Sequence, residues 1–369
     1  MSDVIENFAV VLRFAADRRL TDVHFKAGQR PLYRRAGRLI SRREEATFDE
    51  AALTEIAGHL FSGEQAQAFN AGAEITTPYG LVGAGRFRVH VFRQRGTISF
   101  AVRVLPPRAT TIRELHLPQA VSSLVVAESG LVLVTGGSGQ GRSASLAAMI
   151  DAVNTATQFT RHVVTVESPV EVLFEDKLAW VSQREVGVDC NDYIAGIEGA
   201  LQQDADIIVI DQVADQHVWD ATLRAAESGC LVIAAVRAMD VAQMFRFLHG
   251  VIGGERQMAW RMRLAGVFLG AFSTNLILAA DGKTRYPAAE VLMANDVVYT
   301  LLRDGHDPAA LYDVMHQHQP QGMQTIDQSL HDMLNANVIT AEIALQHAMR
   351  PAELQTMRTT GKRYDSGLF

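Results

Sequence analysis

The amino-acid sequence predicts a two-domain α/β protein, in which an α+β domain precedes a parallel-sheet domain with a helical C-terminal region. The chain has 369 residues, a length that suggests about two domains. Residues 84–104 alternate bulky and polar positions around Gly96, which is typical of a β-hairpin. The second half instead alternates all-apolar runs with helical patterns, which indicates a parallel sheet covered on both faces.

The composition excludes several classes of protein. Hydrophobic residues make up 48% of the chain, and 34 Lys and Arg against 41 Asp and Glu give a net charge of −7. A disordered or collagen-like chain is therefore excluded, and the acidity argues against a nucleic-acid binder. Cys190 and Cys230 cannot build a disulfide scaffold, so we expect a reducing compartment. Acids come before arginines at the N-terminus, the reverse of a signal peptide, so we expect a cytoplasmic protein.

The first domain is predicted over residues 1–105. Its predicted elements are a helix over residues 3–16, a strand over residues 22–25, a helical segment over residues 48–69 and the hairpin of residues 84–104. Pro106 and Pro107 begin a linker predicted over residues 106–112, because proline punctuates and stiffens a chain.

The second domain is predicted over residues 113–295, and a helical C-terminal region over residues 296–369. All-apolar strands are predicted at residues 131–135, 162–166, 207–210 and 231–236. Residues 264–280 are nearly long and apolar enough to cross a membrane, but Ser273, Thr274 and Asn275 interrupt them. A buried helix followed by a buried strand is the favoured interpretation, so we expect no direct membrane insertion.

A glycine-rich loop follows the first of these strands. Residues 136–143 match the phosphate-binding template G-x-x-x-x-G-K-[ST] at Gly136, Gly141 and Ser143, between a strand and a helix. Successive backbone N–H groups at a helix N-terminus form a nest for an anion. The candidate nucleotide-binding residues are Gly136, Ser138, Gly139, Gly141, Arg142, Ser143 and Ala144.

The loop departs from the template at its lysine. Arg142 occupies that position, and its longer planar side chain does not replace a lysine conservatively. ATP and Mg²⁺ are therefore expected to bind weakly or not at all, with Ser143 as one metal ligand. The alternative is a tight glycine turn without a ligand.

Acidic residues follow two of the apolar strands. Glu167 ends the strand at residues 162–166, at the edge where α/β sheets bind ligands, and a carboxylate there can polarise an attacking water. The alternative is an acid that faces solvent. Asp211 and Gln212 follow residues 207–210. Asp211 is the second candidate Mg²⁺ ligand, whereas the amide of Gln212 cannot take up a proton or balance the metal's charge.

Several segments together resemble the type IV pilus retraction ATPases, the PilT/PilU family. Residues 21–25 look like its S-D-L-H-L opening, and residues 85–96 like its hairpin of R-F-R-V and Q-R-G. Residues 167–171 match its Asp box and residues 183–187 read Q-R-E-V-G. The remaining matches are residues 225–229, similar to A-A-E-T-G, and residues 322–327, similar to G-M-Q-T-h-D. Residues 145–150, the Q-R-E-V-G segment and the closing region favour PilU over PilT.

This resemblance implies a PAS-like first domain, a RecA-like P-loop NTPase domain and a hexameric ring that binds ATP and Mg²⁺. Glu167 takes the position of the family's catalytic glutamate and Arg237 that of its His-box histidine. The family's trans-acting arginines, which reach a neighbour's nucleotide, would correspond to Arg88, Arg95 and Arg103. For each of these three, an ordinary solvated strand face is the equal alternative.

The departures from the family concentrate at its catalytic positions. Arg142 replaces the P-loop lysine, Ser168 the Asp-box aspartate, Gln212 the Walker B glutamate and Arg237 the histidine, while Asp211 stands at a glycine position. The resemblance therefore implies a PilU-like accessory subunit with weak or no hydrolysis. It would work with an active PilT-like paralogue and an inner-membrane platform protein. The alternatives are an active retraction ATPase with rewired residues and a non-enzymatic regulator of a secretion-type assembly.

Overall fold

The computed structural model describes residues 2–18, 20–35, 38–42, 44–106, 108–156, 160–251 and 257–360. It divides into two compact units, residues 1–108 with 171–173 and residues 109–170 with 174–369. Pro107 of the predicted linker and residues 361–369 of the predicted helical region lie outside the described residues.

The described residues of the first unit form one antiparallel sheet and three helices. Its elements are α1 (Asp3–Asp17), β1 (Asp22–Lys26), β2 (Leu32–Arg35), β3 (Arg38–Ser41), α2 (Glu50–Leu60), α3 (Gly63–Asn70), β4 (Ile75–Leu81), β5 (Gly85–Gln94) and β6 (Thr97–Val104). The strand order is β3-β2-β1-β6-β5-β4. The buried residues of α1 and α2 form one core with Val23, Phe25 and Phe100 of the sheet.

The sequence predictions for this unit agree with the structure except in two places. The hairpin, the first helix and β1 lie where they are predicted. The segment 48–69 is two helices, because Ser62 begins α3 with a capping box in which its hydroxyl accepts from the N–H of Gln65. Strand β4 has no counterpart among the predicted elements, since Pro78 and Gly80 interrupt its alternation.

The second unit is built on a seven-stranded sheet. Its elements are α4 (Gln119–Leu124), β7 (Gly130–Thr135), α5 (Arg142–Asn154), β8 (His162–Glu167), β9 (Trp180–Glu185), α6 (Tyr193–Gln202), β10 (Ile207–Ile210), α7 (Gln216–Glu227), β11 (Leu231–Val236), α8 (Val241–Val251), α9 (Gln257–Val267), β12 (Phe268–Leu278), β13 (Arg285–Met293), α10 (Asp296–Asp304), α11 (Ala310–Gln317), α12 (Ile326–Asn335), α13 (Ala341–His347) and α14 (Pro351–Thr360). The strand order is β13-β12-β7-β11-β10-β8-β9.

The sheet is parallel except at one edge. β7, β8, β10 and β11 are almost entirely buried, as their uninterrupted apolar sequences predict, while β13 pairs antiparallel with β12. Helix α9 runs directly into β12, so the apolar segment 264–280 is a helix end followed by a buried strand. In the described part of the chain no helix has the length and apolar character needed to cross a membrane.

The C-terminal helices are joined by a buried carboxylate. Asp327 in α12 is fully buried and accepts hydrogen bonds from the hydroxyl of Tyr312 and from the N–H groups of Met349 and Arg350. Burial and the Asp327 carboxylate raise the pKa of Tyr312 well above its usual value, so the phenol stays a donor. One side chain therefore ties α11, α12 and the start of α14 together.

Candidate functional site

The glycine-rich loop connects the end of β7 to the first turn of α5. Gly136, Gly139 and Gly141 have φ values of +154°, +71° and +96°. A Cβ added at Gly136 would lie 3.0 Å from the carbonyl oxygen of Thr274, and one at Gly137 would lie 2.8 Å from the sulfur of Met239. Conformation therefore favours glycine at positions 136, 139 and 141, and the nearby Thr274 backbone adds a spatial reason at position 136.

Strand β12 holds this loop from the side. The hydroxyl of Thr274 donates to the carbonyl oxygen of Gln140 at 2.8 Å, and the N–H of Leu276 donates to the side-chain oxygen of Gln140 at 2.6 Å. Sequence reasoning missed this anchoring role of Gln140, because an amide inside a variable template position carries no signal of its own.

The predicted nucleotide-binding residues differ in their exposure to solvent. Gly136 is buried, Gly141 and Arg142 are half-buried, and Ser138, Gly139, Ser143 and Ala144 are exposed. The hydroxyl of Ser143 makes no hydrogen bond to any residue in the described ranges. Backbone N–H groups at the start of α5 can donate to phosphate oxygens, and the hydroxyl oxygen of Ser143 can serve as one metal ligand.

Arg142 is turned toward its own loop. Its Nη1 donates to the carbonyl oxygen of Gly136 at 3.3 Å. A lysine ammonium is a compact charge that reaches phosphate, whereas the guanidinium is a planar fork that binds several acceptors at fixed angles. The substituted residue thus contributes part of its hydrogen bonding to the loop itself.

Glu167 ends β8 with its carboxylate held in place. Oε1 accepts a hydrogen bond of 2.6 Å from the hydroxyl of Thr165 and one of 3.1 Å from the side-chain amide of Gln183. The side chain is half-buried. Glu167 is therefore positioned on the strand end rather than loose in solvent, which suits a general base.

Asp211, the first residue after β10, is engaged through both carboxylate oxygens. Oδ1 accepts from the hydroxyl of Tyr193 at 2.6 Å, and Oδ2 accepts from the backbone N–H of Ser168 at 2.8 Å. Burial and the Asp211 charge raise the pKa of the Tyr193 phenol above its usual value, so the phenol stays protonated and donates the hydrogen bond. Asp211 thereby ties the Asp-box segment to the end of β10.

Gln212 and Arg237 complete the strand-end positions. Gln212 is half-buried and Arg237, directly after β11, is exposed. Within the described ranges neither side chain has a hydrogen-bonding partner. The glycine loop follows β7, Glu167 ends β8, Asp211 follows β10 and Arg237 follows β11. These four parallel strands are neighbours in the sheet, so all of these residues lie at one edge of it.

The candidate trans-acting arginines lie on the hairpin of the first unit. Arg88 and Arg103 pair across β5 and β6; Arg88 lies 3.7 Å from Glu171, and Arg103 donates to Asp22 at 3.2 Å. Arg95 sits in the turn with a φ of +50° and is exposed. Arg95 is thus the candidate whose guanidinium is least engaged within its own unit.

Sequence reasoning also missed a buried acid next to the loop's supporting strand. Glu290 on β13 is 1% exposed and accepts hydrogen bonds from the N–H of Val241 at 3.0 Å and the hydroxyl of Ser273 at 3.1 Å. Burial raises the pKa of its carboxyl to about 7. A single acid inside an apolar run is the signal that points to such a residue.

Comparison with known proteins identifies relatives that match most of this chain. A family described as type II/IV secretion system protein matches residues 86–269. The chain is 30% identical to the type IV pilus ATPase PilU of Pseudomonas aeruginosa over 97% of its own length and 93% of that protein. It is 28% identical to the type IV pilus retraction ATPase PilT of the same organism over 92% and 98% of the two chains.

Solved structures confirm the predicted fold. The crystal structure of the pilus retraction motor PilT with bound ADP has a TM-score of 0.86 and 29% identity, covering 95% of this chain and 99% of that one. The ATPase DotB of Legionella pneumophila, at 20% identity and a TM-score of 0.75, shares the fold. An N-terminal α+β domain followed by a RecA-like P-loop ATPase domain is therefore the architecture of this protein.

Proposed function

Because the chain belongs to the type IV pilus retraction ATPase family of PilT and PilU, we propose that it is a PilU-like accessory subunit of the pilus retraction machine. In this proposal its own ATP hydrolysis is weak or absent. The similarity to PilU along almost the whole chain supports the assignment to the machine. The substitutions at the sheet edge support the accessory role.

Nucleotide binding is supported by the glycine loop, which keeps the backbone shape that phosphate groups need. In the proposed complex the backbone N–H groups of Ser138, Gly139 and residues 141–144 would hold phosphate oxygens, and Ser143 would offer its hydroxyl to Mg²⁺. ATP with Mg²⁺ supplies the phosphoanhydride whose γ-phosphoryl group is transferred to water. Arg142 supports weak binding, since it shares its guanidinium with the Gly136 carbonyl.

The observation that carries the proposal of weak hydrolysis is the state of Asp211. It is the acid that immediately follows β10, and both of its oxygens already accept hydrogen bonds, from Tyr193 and Ser168. A metal ion or a metal-bound water would have to compete with these donors. Gln212 beside it has no negative charge to offer.

One observation favours the second candidate, an active ATPase with rewired residues. Glu167 is oriented by Thr165 and Gln183, as a base that activates water should be. In this reading Arg142 binds phosphate and Asp211 exchanges its present partners for the metal. The third reading is a non-enzymatic regulator of a secretion-type assembly, in which the strand-end residues have no catalytic task.

The proposed partners follow from the accessory role. We infer a cytoplasmic homohexamer that docks on an inner-membrane platform protein and works beside an active PilT-like ATPase. In such a ring the first domain of one subunit packs on the second domain of the next, and Arg88, Arg95 or Arg103 approaches the neighbour's nucleotide. Nucleic acid has no part in this proposal.

Turnover measurements on the purified oligomer test the proposal directly. We expect less than about 1 s⁻¹ with saturating ATP and Mg²⁺, at the low end of the usual enzyme range, and the same rate for Glu167→Gln. A faster wild-type rate that Glu167→Gln abolishes would contradict the accessory role and favour the rewired ATPase. Co-purification with a PilT-like ATPase supports the accessory reading, whereas association with only the platform protein supports a scaffold.

A further inference from the structure

The first unit contains a cavity of about 640 Å³ that the nucleotide chemistry does not use. It lies over β1, β5 and β6, and residues of the segment 28–32 together with Ser41, Arg42 and Thr47 line its sides. Its volume falls in the range of small-molecule sites, roughly 300–1,000 Å³. All of its lining residues belong to this one unit.

The floor of the cavity is the sheet face opposite the helices. Ser99 on β6 is directly paired with Lys26 on β1 and with Phe92 on β5, so these three side chains leave the sheet on one side. The adjacent residues Phe25 and Phe100 belong to the helix-packed core and also line the cavity. The cavity therefore borders the hydrophobic core, while the side chains of Lys26, Phe92 and Ser99 lie on the other face of the sheet.

The lining is basic in an acidic protein. His24, Lys26, Arg30 and Arg42 line the cavity, and none of the described residues that line it is Asp or Glu. Arg42 is paired with Glu45 at 2.9 Å, whereas Lys26 and Arg30 are exposed and have no ion pair within the described ranges. Two uncompensated cations at the opening favour an anionic ligand.

The walls also hold buried polar atoms without partners. Ser99 is 1% exposed, and neither its hydroxyl nor Nε2 of His24 has a hydrogen-bond partner in the described part of the chain. An unsatisfied buried polar group destabilises the folded protein, so such groups in a cavity wall point to a polar ligand or ordered water. Apolar surface from Leu32 and Phe92 lies beside them.

We propose that this cavity binds a small aromatic anion. Its flat ring would contact Phe92 and Leu32, and its phosphate, sulfonate or carboxylate group would face Lys26 and Arg30. Ser99 and His24 would hydrogen-bond its polar atoms after a small side-chain adjustment. This site is independent of the P-loop and of whether the protein hydrolyses ATP.

The test compares two fluorescent probes on the full-length oligomer. The probes are the anion 8-anilinonaphthalene-1-sulfonate and its uncharged analogue N-phenyl-1-naphthylamine. We expect one sulfonate bound per chain, and at least roughly tenfold weaker binding by Lys26→Glu/Arg30→Glu, the usual result of losing charge-assisted contacts. Arg35→Glu is the matched control, because Arg35 is exposed on the neighbouring strand β2 and does not line the cavity.

A second variant tests the location. Ser99→Phe fills the floor of the cavity and should abolish binding of the sulfonate probe. If this larger side chain disturbs folding, the charge variants still test the proposal, because they change exposed positions. Equal weakening by Arg35→Glu, equal affinity for the uncharged analogue, or no binding by the wild type would each overturn the proposal.

Discussion

Asp211 illustrates how one residue changes the chemistry of the sheet edge. At a position where the family resemblance predicts glycine, its carboxylate accepts hydrogen bonds from Tyr193 and from the backbone of Ser168. Hydrogen bonds to a charged acceptor are worth about 1.5–3 kcal/mol each. The residue thus stabilises the segment after β8 and occupies the oxygens that a metal ion would use.

Under the proposed accessory role, we expect that an increase in ATP hydrolysis requires removal of Asp211 together with the other changes. An aspartate at position 168 would place a second carboxylate next to that of Asp211, and like charges in contact repel. We predict that Arg142→Lys, Ser168→Asp, Asp211→Gly, Gln212→Glu and Arg237→His together raise the ATPase rate at least about tenfold. Each change alone has little effect, because residues of one catalytic unit are non-additive.

The fourfold variant that retains Asp211 is the matched control for this prediction, measured by steady-state turnover in rings of the same size. It should remain close to the wild-type rate. Adding Glu167→Gln to the fivefold variant should remove the gain. A fourfold variant as active as the fivefold one would show that Asp211 does not block the site.

Glu290 connects three elements through one buried carboxyl. It lies on β13 and accepts hydrogen bonds from Ser273 of β12 and from Val241 at the start of α8. Burial, assisted by the charges of Asp240 and Asp327, raises its pKa from 4.5 to about 7. The folded protein therefore keeps this proton at pH values at which the unfolded chain has lost it.

We predict a pH-dependent free energy of unfolding from this residue. Since the folded pKa is the higher one, the stabilising contribution is complete below pH 4.5 and is lost as the pH rises through about 7. Its full size is about 3 kcal/mol, from 1.36 kcal/mol per pKa unit. Urea unfolding across this pH range measures the effect. The free energy of unfolding of Glu290→Gln should decrease less with rising pH than that of the wild type, whereas the exposed control Glu128→Gln should decrease as much as the wild type.

Helix α6 lies unusually close to β8 because Gly196 has no side chain. A Cβ at this position would be 2.5 Å from Cγ1 of Val166. We predict that Gly196→Ala lowers the free energy of unfolding by about 1–3 kcal/mol, the usual cost of overpacking. In contrast, Gly58 in α2 has nothing within 4 Å of its added Cβ, so Gly58→Ala should stabilise by about 0.5–1 kcal/mol. Urea unfolding of both variants measures these changes. Changes of the same sign in the free energy of unfolding would refute the prediction.

For the whole molecule we predict a ring-forming oligomer whether or not nucleotide is present. The hairpin of residues 86–103 and the segment 225–229 resemble the family's, and a head-to-tail interface closes into a ring when its rotation allows. Mass photometry at micromolar concentration with and without ATP measures this. Monomers alone under both conditions would refute the prediction.

Much of the architecture could be predicted because its signals are local. The strands β7, β8, β10 and β11 are short and largely apolar, and the hairpin alternates bulky and polar residues around a turn. Strand β4 is not predicted, because Pro78 and Gly80 break the alternation of apolar and polar residues. The sequence of the edge strand β13 carries no information about its antiparallel direction. The helices of residues 48–69 were predicted as one, because a capping box at Ser62 interrupts the helix without breaking its apolar spacing.

The sequence by itself determined the fold class and the family, because spacing and residue type are properties of the chain alone. Only the tertiary structure decided what the side chains at the edge of the sheet contact. Tyr193 meets Asp211 across 18 positions, Glu290 meets Val241 across 49, and Ser99 and His24 face one cavity from two strands. Hydrogen bonding and burial depend on distances between residues far apart in the chain, so such partnerships have no local signal to read.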